Sequence, residues 1–95
     1  MSDLTVEDFE LCRGDVFHVP AGPAQLEFTL ARIERLGPPR PGGRTPFSLI
    51  FRGPKLPVLS QAIYRFAHPR FESLDMFIVP VGPDMDAMQY QAIFT

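Results

Sequence analysis

The residues of this chain that could do covalent or metal chemistry are few and far apart. One cysteine, Cys12, and two histidines, His18 and His68, are all the thiols and imidazoles it has. Nucleophilic catalysis needs a thiol or hydroxyl beside an oriented base. Ser48, Ser60 and Ser73 lie in no Gly-x-Ser-x-Gly context, and Cys12 reads as a small buried residue. Cys12, His18 and His68 could in principle supply three zinc ligands, but no pair has the close spacing of structural sites. His68 precedes Pro69 and reads as a strand-end residue that caps backbone groups. Asp84-Met85-Asp86 with Asp75 lacks the glycine and distal glutamate of a calcium loop. The expectation is therefore no catalytic residue, no metal and no cofactor.

Anion chemistry is better represented. Gly42-Gly43-Arg44 is not a phosphate loop, because no Gly-Lys-Ser/Thr follows it. Yet Arg40, Arg44, Arg52, Lys55, Arg65 and Arg70 follow one another with no acid between them. Tyr64-Arg65-Phe66 interleaves rings with charge, as in barrels that stack single-stranded nucleic acid. Tyr64 and Phe66 share a phase with Ala62, however, which turns both rings inward and Arg65 outward. A pI near 5.5 also opposes phosphate backbones at range.

These residues must be positioned by a short helix followed by strands. Thr5 and Asp8 have the spacing of a capping box, and Leu4 and Phe9 that of a hydrophobic staple. Gly14 offers a left-handed stop, which predicts a helix over 5–12. Beyond it the apolar period becomes two, with strands expected over 15–20, 25–36, 47–52, 62–67, 73–81 and 88–94. Leu26, Phe28 and Leu30 set one phase and Ile33 the other, so a bulge near Ala31–Arg32 restores register. Residues 74–81 are apolar in both phases (Leu74, Met76, Ile78; Phe77, Val79, Val81), which predicts a central strand buried on both faces. Pro80 then fits only near its end or at a bulge. Residues 37–46, with four prolines and three glycines, are a loop stiff enough to make contacts. The fold class is mainly β, mostly meandering: a compact six-stranded antiparallel barrel or curled sheet with one short N-terminal helix.

Ninety-five residues make one domain with a thin core, nine phenylalanines supplying much of it. No apolar run is long enough to span a membrane, and Met1-Ser2-Asp3-Leu4 lacks a signal-peptide pattern. With one cysteine and no internal disulfide, a cytoplasmic address is expected. The net charge of −2 hides a segregation. From Arg32 to Arg70 eight basic residues face a single acid, Glu34; the other ten acids and Arg13 lie outside that stretch. Two faces of opposite sign would suit a protein partner or a second copy.

Several stretches carry a family likeness: Pro46–Pro54, Leu59–Tyr64, His68-Pro69, Leu74–Val81 and Tyr90–Phe94, together with the Gly-Pro-x-Arg-Pro-Gly-Gly loop. On these the chain resembles a family of small bacterial domains of about this length, catalogued as a domain of unknown function. The resemblance covers nearly the whole chain and implies no activity or catalytic residues. It implies an accessory or structural role beside phage-tail-like proteins. The chain departs from the family at Ala62 and Ser73, where glycine is expected.

Two functions follow as expectations. The first is a non-enzymatic structural or interaction module, engaging an acidic protein surface through Arg40, Arg44, Arg52, Lys55, Arg65 and Arg70. The alternative is a barrel binding a small ligand or single-stranded nucleic acid, its cavity lined by Phe28, Phe47, Phe51, Phe66, Phe77 and Tyr90. The charge balance disfavours nucleic acid, and nothing points to a membrane.

Overall fold

The computed structural model describes residues 4–38, 41 and 45–94. It is a closed antiparallel barrel of six strands with one short helix. Helix α1 spans Val6–Glu10, and the strands are β1 (Val16–Ala21), β2 (Ala24–Arg35), β3 (Phe47–Gly53), β4 (Ala62–His68), β5 (Glu72–Pro83) and β6 (Met88–Phe94).

The helix starts as its sequence dictates. Asp8 N–H donates to Thr5 Oγ1, and Thr5 N–H donates to Asp8 Oδ2 at 2.9 Å, completing the capping box. It stops earlier than expected, at Glu10 rather than residue 12. Past Glu10 the chain tightens into three-residue bonds, Cys12 N–H to Phe9 O and Asp15 N–H to Cys12 O, and Gly14 takes φ +90°. Cys12 therefore lies in the turn beyond the helix.

Around the barrel the order is β1-β2-β3-β6-β5-β4. The chain is thus two three-stranded meanders rather than one. The link from β3 to β4 crosses an end of the barrel, and the halves join where β3 pairs with β6 and β1 with β4. The β3–β6 ladder has seven pairs, whereas β1 and β4 share one, His18 with Ala67. Each meander has a 12-residue central strand with a register shift, between Leu30 and Arg32 in β2 and between Pro80 and Gly82 in β5. The second shift accommodates Pro80, which has no ladder N–H to give.

The interior is aromatic. Phe17, Phe28, Phe47, Phe51, Phe66 and Tyr90 are fully buried, each such ring contributing roughly 1.5–3 kcal/mol by leaving water. They fill the space against one another: Phe28 lies 4.9 Å from Tyr90 and 5.6 Å from Phe66, and Phe51 lies 4.9 Å from Phe66. Gly53 is required beside them, since a Cβ there would meet the Phe28 ring at 3.0 Å. Helix α1 brings Val6 and Phe9 to one end of this core. Leu59 enters from the β3–β4 link, and its N–H donates to the buried Tyr90 hydroxyl at 2.9 Å.

Two expectations about β5 are corrected. It is not buried on both faces: Met76 and Ile78 point inward, but Phe77 and Val81 are about half exposed. A closed barrel has one inside, and among the described residues no second layer covers this stretch. For the same reason Phe77 is not among the rings that fill the interior. Ala62 and Ser73 lie within β4 and β5, and neither has a positive φ. Glu72, after the turn 69–71, takes φ +64°, the left-handed position that follows a three-residue hairpin loop.

Candidate functional site

The one group of potential metal ligands among the described residues is Cys12, Asp15 and His68, whose donor atoms lie within 4.8 Å of one another. His68 joins it from the end of β4 and Asp15 from the turn before β1. The His68 ring stacks on Phe17 at 4.5 Å and its side chain is 9% exposed. Its hydrogen bonds fix its protonation. Arg70 N–H donates to Nδ1 at 3.0 Å, so Nε2 carries the proton and gives it to Asp15 Oδ2, also at 3.0 Å. A metal on Nε2 would drive that proton to Nδ1, against a backbone donor. The thiol is no readier: burial, and then Asp15, push the Cys12 pKa up, and its hydrogen is turned toward Asp8 O. The cluster is a polar pin that fastens the helix, the β1 entry and the β4–β5 turn. The sequence offered Cys12 and the two histidines as conceivable ligands at spacings unlike those of structural sites, and gave no signal for Asp15, 53 residues from His68.

His18 stays outside this cluster, 3.8 Å from Glu27 across the β1–β2 ladder. With Ala67, His68, Pro69 and Glu72 it lines an open depression beside the one β1–β4 pair.

Of the six basic residues expected to form one face, the four described ones are spread over the barrel. Arg40 and Arg44 lie outside the described residues. Arg52, on β3, is clamped by Asp84, with Nε to Oδ2 at 2.8 Å and Nη2 to Oδ1 at 3.1 Å. Arg65 Nε meets Asp75 Oδ1 at 3.1 Å, its direct neighbour in the β4–β5 ladder. Lys55 and Arg70 are exposed, the first in the β3–β4 link and the second in the β4–β5 turn; these connections lie at opposite ends of the barrel. Neither has an ion pair among the described residues. Folding also sets Arg35 on Glu7 and Glu10 of the helix. The charge segregation of the sequence is thus partly cancelled within the chain.

The acidic turn has the same resolution. Asp84 accepts from Arg52 and from the backbone N–H groups of Asp86 and Ala87, both at 2.8 Å. These bonds, led by that from Arg52, hold its carboxyl well below the usual carboxylate range, leaving it as a turn anchor.

What remains is apolar. On the outside of the second meander Ile63 of β4 stands directly opposite Phe77 of β5. Ile93, on the outward phase of the neighbouring strand β6, lies two residues past the Val79–Gln91 pair at which the β5–β6 ladder begins. These three side chains are 67%, 52% and 58% exposed. They form one row across three adjacent strands, with half-buried Val79 next along β5 and the Arg65–Asp75 pair bordering the row. Sequence reasoning saw the apolar outer phase of β5 but assigned it to a buried interior.

No curated protein and no solved structure matches the chain. One family model does, over residues 4–94, and its description is a domain of unknown function. A match of that extent leaves only a few terminal residues outside it, and the chain belongs to the DUF6916 family.

Proposed function

We propose that this domain is a non-enzymatic interaction module that holds another protein against the outer face of β4, β5 and β6. The observation supporting it is the exposed row Ile63, Phe77, Ile93. A barrel needs apolar side chains only in its inward phase; three large ones in the outward phase add no more than cross-strand pairing to the fold, and exposed apolar patches mark contact surfaces. The occupant is a protein surface that is itself apolar and nearly uncharged at its centre, because Arg65 and Asp75 already neutralise each other at the border. Lys55 and Arg70, without ion-pair partners among the described residues, would then steer the approach rather than hold the complex. An accessory place beside a phage-tail-like assembly, as the family resemblance implies, suits a module whose work is contact.

Capture from the native host with wild type and Phe77→Glu as paired baits tests this reading. A protein retained by wild type and lost on Phe77→Glu is expected. Equal retention by both baits would overturn it.

A further inference from the structure

We infer that the occupant of this face is a second copy of the chain, docked about a two-fold axis that runs along the strands between β4 and β5. The inference rests on the reading above and adds the identity of the partner. Such an axis, lying in the plane of contact, keeps each row of side chains at its own height and exchanges left for right. The row that holds Ile63 on β4 and Phe77 on β5 therefore faces its own reverse, Ile63 over Phe77 of the second copy and Phe77 over its Ile63. The next row does the same with charge. Arg65 and Asp75 are directly opposed neighbours on the same two strands, so the axis sets Arg65 of each copy over Asp75 of the other.

The Ile63–Phe77 and Arg65–Asp75 rows are thus their own complements in apolar character and in sign, which is what an isologous interface demands, and Ile93 of β6 borders the contact to one side of the axis. A foreign partner would need an apolar row and a matched acid–base pair at the same spacing; a second copy has them by construction. Each strand then lies over one of opposite sense, β4 over β5 of the second copy, with the strand axes nearly aligned, in keeping with packing of twisted sheets at about 30° and roughly 10 Å apart. At this face β5 and β6 are each paired on both sides, so the contact is face to face rather than by strand addition.

Sedimentation velocity of the purified chain reads the outcome, with circular dichroism melting curves to show that each variant is folded. Wild type is expected to be dimeric at tens of micromolar, and Phe77→Glu monomeric at about 100 µM. Arg65→Asp and Asp75→Arg should each weaken the dimer by roughly tenfold or more, because each sets like charges across the axis. Mixing these two variants should restore association, as acidic chains find basic ones. So should the double exchange Arg65→Asp/Asp75→Arg within one chain. The sharpest readout is the rescue on mixing, which a foreign partner or a merely structural ion pair would not produce, since mixing leaves each chain's own pair broken.

A wild type that stays monomeric at about 100 µM overturns the inference. If Phe77→Glu nevertheless loses a captured host protein, the interaction face stands and only the identity of its occupant falls. A dimer indifferent to Phe77→Glu and to both charge reversals overturns the inference and places self-association elsewhere; equal capture of a host protein by wild type and Phe77→Glu then removes the face as well.

Discussion

The two meanders have the same plan and opposite outsides. In each a 12-residue central strand carries a register shift and packs an apolar phase inward: Phe28 and Leu30 in β2, Met76 and Ile78 in β5. On β2 the outward phase is Gln25, Glu27, Thr29 and then, past the shift, Arg32 and Glu34. On β5 it is Ser73 and Asp75 and then Phe77 and Val79, with exposed Val81 at the shift. Closure constrains only the inward phase, and both strands obey it. The outward phase is free, and β2 spends it on water while β5 does not. That difference is what separates a residue the fold requires from one it merely tolerates.

The comparison can be broken most severely by exchanging its two sides. Phe28→Ala should cost about 3–5 kcal/mol in urea unfolding, as for other buried rings truncated to a methyl. Phe77→Ala should change monomer stability by no more than about 0.5 kcal/mol, the range of ordinary surface positions. The pair is best measured below the concentration of any association. A loss at Phe77 comparable to that at Phe28 would mean that the chain itself covers this face.

A smaller effect tests how the inside is closed. Tyr90→Phe keeps the ring and removes the oxygen that accepts Leu59 N–H, stranding a buried donor at a cost of about 1–3 kcal/mol. Thermal melts of Tyr90→Phe and Leu59→Ala, alone and combined, would sharpen the point. If the hydroxyl serves only to hold Leu59 in place, the two losses will not add.

The smallest expected effect concerns the clamp between the halves, Arg52 of β3 and Asp84 of the β5–β6 turn. Asp84 titrates lower in the folded chain than in the unfolded one. Its contribution is therefore fully present above the ordinary aspartate value of about 3.9, and falls away as the pH drops below it toward the folded value. Wild type should melt above Asp84→Asn at pH 7, with the gap narrowing as the solution is acidified below about pH 4. A gap of constant size would locate the benefit in turn geometry instead of charge.

Much of this architecture was readable from neighbours in sequence, because short-range physics decides it. The capping box at Thr5 and Asp8, the slip of phase after Leu30 and the need for irregularity at Pro80 are all local statements, and the chain obeys each. The crossing from β3 to β4 was not legible, since it depends on which distant strands pair. The same is true of the charges. Arg52 and Asp84 are 32 residues apart, so the apparent segregation of basic middle and acidic ends says nothing of who neutralises whom until register is known. The exposed apolar row fell between these cases. Its residues were visible as a strand apolar in both phases, but a buried sheet and a sticky barrel wall share that pattern. Only closure of the barrel decides between them. Asp15 had no signal at all, because nothing in its own surroundings points to His68.

One joint in the barrel is unlike the others. With a lone rung between His18 and Ala67, the cylinder is also a curled ribbon of six strands whose two margins are clasped at one point. Local breathing begins where the fewest rungs must part together. Solvent deuterium should therefore enter along the β1–β4 margin well before it reaches the seven-rung join of β3 and β6. The molecule unfurls from that clasp and keeps the far wall, where the two halves are sewn together, until last.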